Sequence, residues 1–413
     1  MATGIKNIIG VDVSGKSVLF RPDINSPIDA NGKIKNENRL IETVPTLKYL
    51  IEGGAKVAII AHQGDTLDYQ NLIPLAEHAM RLSKLSGYSI DYIDDVCGDA
   101  AIERVKQLKC GEVIILGNLR YLTEEVSTFE KDVKLTAKEM ENTYLIRRLY
   151  RIFDIYVNDA FSAAHRNAPS MTGFQRLLPS YAGPLFFKEY DALSKIMTNP
   201  PRPTFFVLGG AKISDAFGMM EKVLSDGIAD AVLACGVTGV IMLIARGIHV
   251  GCKYEKWLAD RDLLAFVNPA KELLTKHGEK FILPTDLAYA EGAKRIEIDV
   301  AKLPLDDALF LDIGIASANE FAKFIAKAGT VFVNGPAGVY EDPKFELGTS
   351  KVWNALANTN AYTVIGGGDT VSAAAKFIDL KKINYVCTAG GAMVRFLSGK
   401  KLPLIDAFMT KRD

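Results

Sequence analysis

Neither sign of charge is in excess in this chain of 413 residues. Lysine plus arginine number 49, aspartate plus glutamate number 49, and the formal net charge at pH 7 is zero. No global field therefore recruits nucleic acid or a membrane surface, and an anionic ligand has to be met by a local cluster of cations. Cysteine is sparse. The five (Cys97, Cys110, Cys235, Cys252 and Cys387) are scattered, with no Cys-x-x-Cys pair, which argues against a zinc ribbon or a disulfide framework and for reduced thiols in a cytosol. The opening MATGIKNIIG has no basic segment followed by a long apolar stretch, so a cytoplasmic protein is expected rather than a secreted one. Long hydrophobic runs are missing too. The uncharged stretch 231–245 is short of a membrane span and contains Gly236 and Gly239, and it reads as a buried strand, turn and helix.

What is present is the composition of a soluble globular protein, 48% hydrophobic and 24% charged. A chain of this length exceeds one ordinary core, so two domains are expected. Short apolar runs at 17–20, 57–61, 113–116 and 152–157 alternate with helical spacing at 37–52, 72–85 and 138–150. The second half repeats the rhythm with runs at 204–208, 231–234, 281–283, 309–311, 330–333, 362–365 and 384–387. Short continuous apolar strands between amphipathic helices predict parallel sheets covered on both faces, with ligands at the carboxyl ends of the strands. Prolines 179, 184, 200, 201 and 203 mark a seam. The segment 181–197 within it reads as one helix joining the two α/β domains.

Four apolar runs in the second half end in glycine-rich turns: FVLGGAK (206–212), VFVNGPAGVYE (331–341), TVIGGGDT (363–370) and YVCTAGGAM (385–393). A bare backbone at a helix N-terminus lets phosphate approach unpaired N–H groups and the positive end of the helix dipole. One such turn also serves plain strand–helix connections. Four in one half, one carrying Lys212 and another Asp369 and Thr370, predict a nucleotide site. The first half offers charge instead: Arg21, Asp23 and Asn25 in FRPDINSP, Arg39 early in the first helix, His62 in IIAHQG, Arg120 in GNLRY, and His165 with Arg166 in VNDAFSAAHR. Guanidinium groups pair bidentately with carboxylate or phosphate, so this cluster suits a small phosphorylated acid. His78, His249 and His277 read as ordinary surface or core residues without partners. Together the halves predict a phosphoryl transferase. An acceptor that is already a carboxylate is ionised and needs no general base, which leaves alignment and charge stabilisation to lysine, arginine and Mg²⁺.

The blocks RPDINSPID (21–29), AHQG (61–64), NLRY (118–121), VNDAFSAAHRNAPSMTGF (157–174), LGGAKISD (208–215), NGPAGVYE (334–341), IGGGDT (365–370) and AGGAMVRFLSGKKLP (389–403), in this order, resemble the phosphoglycerate kinase family, and within it the archaeal branch. The resemblance runs nearly end to end. It implies two Rossmann-like, doubly wound parallel-sheet domains joined by a hinge helix. The acid-substrate domain would be 1–180, the hinge helix 181–199 and the nucleotide domain 200–395, with 396–413 returning to the first domain. It implies reversible transfer between 1,3-bisphosphoglycerate with MgADP and 3-phosphoglycerate with MgATP, by a monomer or homodimer with no nucleic-acid or membrane partner. By matching motif, Asp23, Asn25, Arg39, His62, Arg120 and Arg166 would hold 3-phosphoglycerate. Arg39, Lys212 and the turn Gly390-Gly391 would act on the phosphoryl group in flight, and Asp369 would take Mg²⁺. Gly210, Gly314, Asn334, Pro336, Glu341, Gly367, Gly368 and Thr370 would hold the nucleotide, with Glu341 on the ribose. Several positions depart from the family pattern: Asp65 stands for an arginine that touches the substrate phosphate, Gly117 for an acidic residue, and Ala216 for a second lysine. The usual Thr-Gly-Gly-Gly turn is Thr388-Ala389-Gly390-Gly391, and the loop 235–239 is unlike the family's usual one. A second reading stays open beside the enzyme, a nucleotide-binding relative with a lost or altered acid substrate.

Overall fold

The computed structural model describes residues 4–65, 68 and 70–410. Contacts divide the chain into two compact units, 1–191 with 401–413, and 192–400. In the first unit the strands are β1 (Ser17–Arg21), β2 (Lys56–Ile59), β3 (Ile90–Tyr92), β4 (Val113–Ile115), β5 (Ile155–Asn158) and β6 (Ser180–Ala182). They form one all-parallel sheet in the order β3-β4-β2-β1-β5-β6. Val18 lies opposite Val57 on one side and Ile155 on the other, and all three are buried. That continuous burial is why these strands read as unbroken apolar runs. The chain reverses direction across the sheet between β1 and β5, which places a ligand crevice at the ends of those strands. The C-terminal helix Pro403–Met409 belongs to this unit: Leu404 N–H donates to Ala164 O at 3.2 Å, and the Phe408 ring meets Phe186 edge-on.

The second unit contains β7 (Thr204–Leu208), β8 (Ala231–Ala234), β9 (Phe281–Ile282), β10 (Asp286–Glu291), β11 (Lys294–Asp299), β12 (Phe310–Ile313), β13 (Thr330–Asn334), β14 (Tyr362–Gly366) and β15 (Tyr385–Cys387). Its parallel sheet runs β15-β14-β13-β7-β8-β9, the doubly wound order in which the switch point falls between β7 and β13. Among the described residues no helix is long and apolar enough to cross a membrane.

Local expectations shift at several points. The run at 309–311 becomes β12, and it lies not in the parallel sheet but in a three-stranded antiparallel one with β10 and β11. Pairing of Glu291 with Lys294 makes a two-residue hairpin turn in which Gly292 takes φ 58°, a hairpin signal present in the sequence as Glu-Gly-Ala-Lys. The stretch 138–150 is not one helix but Ala137–Met140 followed by Tyr144–Leu149. Glu124 makes the break, because its carboxylate accepts from the amides of Tyr144 at 2.9 Å and Leu145 at 2.6 Å and caps a new N-terminus. The helix expected from 72 starts only at Ala76, just past Pro74. The helix expected over 181–197 spans Pro184–Thr198, with Pro184 at its first position and β6 before it. His78 does have a partner: it is buried, and its Nε2 lies 3.0 Å from Gln63 Oε1.

Candidate active site

In the second unit the turns after β7, β13, β14 and β15 converge. The first two stack backbone on backbone: Gly209 N–H donates to Asn334 O at 2.9 Å and Gly210 N–H to Pro336 O at 2.8 Å. At Gly335 (φ 91°) a Cβ would sit 2.2 Å from Gly209 O, so this approach requires glycine. Gly335 N–H donates to Thr370 Oγ1 and Asn334 Nδ2 to Gly366 O, each at 2.8 Å, which ties β13 to β14. A cavity of about 360 Å³ opens here. Its lining includes Gly210, Lys212, Asn334, Pro336, Gly367, Gly368, Asp369, Thr370, Gly390 and Gly391. Three helices begin at it, Ile213–Ser225, Gly368–Phe377 and Gly390–Leu397, and none has a side-chain cap hydrogen bond. Their first-turn amides and dipoles therefore face an anion-sized space. Lys212 Nζ and Asp369 Oδ2 lie 3.4 Å apart at its mouth, both side chains about 70% exposed.

A second cavity of about 300 Å³ shares Gly210, Ala211, Pro336 and Asp369 with the first. Its walls are apolar and aromatic: Tyr254 and Trp257 from the helix Cys252–Ala259, Leu287 from β10, Phe310 and Ile313 from β12, and Ala337 and Val339 from the loop after β13. Glu341 stands in the same lining. An apolar slot continuous with a cradle of helix N-termini has the form of a nucleotide site, with the base in the slot and phosphates on the amides. Gly314 lies outside the lining of both cavities. It caps the helix Ile315–Ala326 and packs so closely on Asp286 that a Cβ would fall 2.1 Å from the carboxylate. Its neighbour Ile313 supplies the cavity wall instead. Sequence reasoning missed Tyr254 and Trp257. Their three-residue spacing on a helix was the available signal, and it is indistinguishable from a core face.

The first unit gathers its charges at the ends of β1, β2, β4 and β5. Asp23 is buried, accepts from Arg39 Nη1 at 2.7 Å, and takes a short hydrogen bond from Ser162 Oγ. Burial alone would raise its carboxyl, but Arg39 and the Ser162 hydroxyl help hold it well below the usual carboxylate range. Asn25 Oδ1 accepts from Gly64 N–H at 3.2 Å. His62 is buried, and its Nδ1 lies 3.0 Å from Arg21 Nη2. Arginine only donates, so Nδ1 is the acceptor and the imidazole proton sits on Nε2. Burial, with Arg21 and Arg120 nearby, drives the His62 pKa well below its ordinary value and keeps the ring neutral. Arg120 is buried and its pKa falls to about 10 through burial and Arg166, so it stays charged at neutral pH. Its Nε donates to Gly64 O at 3.2 Å, and Nη1 makes a short bond to Glu125 O. Arg166 donates through Nε to Glu130 at 3.1 Å, while its buried Nη2 has no hydrogen-bond partner. A buried guanidinium N–H left unpaired costs free energy. Arg21 was visible in the sequence only as one more strand-end charge; the structure gives it the job of fixing the His62 tautomer.

The phosphoglycerate kinase family model matches residues 8–400. The chain belongs to the phosphoglycerate kinase family. It is 40% identical to the phosphoglycerate kinase of Methanothermus fervidus over 402 residues, covering 97% of this chain and 96% of that one. With the enzyme of Pyrococcus furiosus identity is 38% over 395 residues, 95% and 94% of the two chains. Among solved structures, phosphoglycerate kinase from Pyrococcus horikoshii OT3 aligns with a TM-score of 0.88 at 36% identity, and that from Coxiella burnetii with 0.81 at 30%, each over 98% of both chains. The chain is thus an enzyme of this class, a glycolytic kinase, and the reading as a binding protein without its acid substrate gives way. Two departures from the family pattern have plain packing reasons. A Cβ at Gly117 would lie 3.0 Å from Val96 N, so a side chain there would have to push the neighbouring backbone aside. Ala216 is 1% exposed in the helix Ile213–Ser225, a poor place for lysine.

Proposed function

We propose that this phosphoglycerate kinase transfers the phosphoryl group reversibly between 1,3-bisphosphoglycerate with MgADP and 3-phosphoglycerate with MgATP, with its side chains in the following roles. Asn25, neutral His62 through Nε2–H, Arg120 and Arg166 hold the acid, and Asp23 positions Arg39 beside the migrating group. Gly367, Gly368 and Thr370 present amides and a hydroxyl to the nucleotide phosphates, Asn334 and Pro336 shape the pocket, and Glu341 accepts from the ribose. Lys212 and the helix start at Gly390-Gly391 stabilise charge on the phosphoryl group. Asp369 offers one exposed carboxylate, which suits a hydrated Mg²⁺ that arrives with the phosphates and keeps most of its ligands from them. The ion would neutralise charge on the phosphate oxygens. Residues 191 and 192, where one compact unit ends and the other begins, fall within the helix Pro184–Thr198, and we assign it the role of linker.

The observation that carries this reading is the convergence of three uncapped helix N-termini and the exposed Lys212–Asp369 pair on one cavity. Such a site lowers the barrier by electrostatics alone, as an ionised carboxylate acceptor requires. The test is a coupled assay with 3-phosphoglycerate and MgATP, with calorimetry of each ligand separately. Saturable turnover needing both ligands supports it. Binding of MgATP with no turnover and no 3-phosphoglycerate binding would refute it.

A further inference from the structure

Asp65 follows His62 and Gly64 at the end of β2, amid the cations of the acid site. Its Oδ1 lies 3.7 Å from Arg120 Nε and its Oδ2 3.8 Å from Arg166 Nη1. Ser127 Oγ donates a short hydrogen bond to Oδ2. The guanidiniums are largely buried, with 4% and 14% of their side chains exposed, whereas the Asp65 side chain is 37% exposed. Two features of this geometry matter. First, both separations are too long for hydrogen bonds and well within Coulomb reach, so the carboxylate compensates the arginines without satisfying the buried Arg166 Nη2, which has no hydrogen-bond partner, while Arg120 Nε already donates to Gly64 O. Second, an oxyanion moving in to about 2.7–2.9 Å of the Arg166 Nη groups, the length of charge-assisted bonds, meets a carboxylate of like charge on the same two cations. One of the two anions has to leave. Asp65 is the one that can move, because its side chain is far more exposed than either guanidinium.

The geometry points to Asp65 as an internal competitor for the Arg120–Arg166 anion subsite, a carboxylate that the phosphate of the substrate must displace and that thereby sets affinity and selects for anions of high charge. This rests on the acid site taking a phosphorylated acid. A dianionic phosphate repays the displacement through Arg120 and both outer nitrogens of Arg166, whereas a lone carboxylate only exchanges like for like. Asp65 is in this sense a specificity-determining residue that works by opposing binding.

The experiment compares Asp65→Asn and Asp65→Ala with the parent enzyme. It measures 3-phosphoglycerate and MgATP affinity by calorimetry, inorganic sulfate as an inhibitor competing with the acid, and turnover. Losing one competing charge at a charge-assisted site should tighten 3-phosphoglycerate and sulfate by about tenfold to a hundredfold in both variants, with MgATP affinity unchanged. A structural role for Asp65 would not give parallel gains for two chemically unlike anions. If sulfate tightens but no variant turns over 3-phosphoglycerate, the competitor role stands and the substrate assignment falls. If the parent is active and neither anion tightens in either variant, Asp65 is no competitor and the inference is overturned.

Discussion

Lys212 offers the cleanest separation of chemistry from folding in this enzyme. Its ammonium lies 3.4 Å from Asp369, yet both side chains are about 70% exposed. Exposed pairs of this kind contribute ~0–1 kcal/mol, so Lys212→Ala should leave the unfolding midpoint almost where it was. The nucleotide would still be held by the turns at Gly367-Gly368, by three helix N-termini and by the apolar slot around Trp257, so MgATP affinity should fall only several-fold. Turnover is another matter. A cation that acts on charge developed during transfer contributes roughly 10³-fold, equivalent to about 4 kcal/mol of barrier. A coupled assay of kcat and KM, together with calorimetry and a melting curve on the same preparation, resolves the three quantities. Near-normal kcat, or a kcat loss matched by an equal loss of MgATP affinity, would show that Lys212 is a ground-state contact and not part of the transfer machinery.

Arg39→Ala should also depress turnover by roughly 10³-fold, but with a stability cost, since Asp23 is 5% exposed and loses the cation 2.7 Å away. Discounted for the partial exposure of Arg39, that cost is roughly 1–3 kcal/mol in a urea melt, and an unchanged midpoint would contradict the pairing. Trp353 is 1% exposed whereas Trp257 lines the apolar cavity. Saturating MgADP should therefore change tryptophan emission, and Trp257→Phe should abolish the change; a persisting signal would place the base elsewhere. Asp159 is almost fully buried, and burial raises its carboxyl from 3.8 to about 6 despite bonds from Thr46 Oγ1 and Phe186 N–H. A raised folded-state value means that ionisation opposes folding, so this contribution is full only below pH 3.8 and is lost as pH rises through about 6. Asp159→Asn should remove that dependence and gain roughly 2 kcal/mol on the parent between pH 4 and pH 7.5; a difference that stays flat across that range would refute the assignment.

Local patterns in the sequence determined much of this protein. Unbroken apolar runs such as those that become β1, β2 and β7 specify strands buried on both faces, because only a doubly covered parallel sheet shields every side chain. The glycine turns at 209–210 and 335 announced close backbone approach: a Cβ at Gly209 would lie 2.4 Å from Pro336 O and one at Gly335 2.2 Å from Gly209 O. Arginines at strand ends, 120 and 166, with Arg39 early in the first helix, suggested an anion in the first half through charge type alone. What only the tertiary structure decided depends on residues far apart in the chain. Glu124 interrupts a helix 20 residues away by capping Tyr144, and no local propensity encodes a carboxylate arriving from elsewhere. Arg21 fixes the tautomer of His62 across 41 residues. Tyr254 and Trp257 line an apolar cavity although their spacing suits any core helix, and Asp65 finds Arg120 and Arg166 only because β4, β2, β1 and β5 end along one edge of the sheet. Period and residue type are local quantities that a sequence carries directly. Ion pairs, caps and cavity walls are set by which chain ends the sheet order brings within a few ångströms, and that order is settled by packing the whole unit.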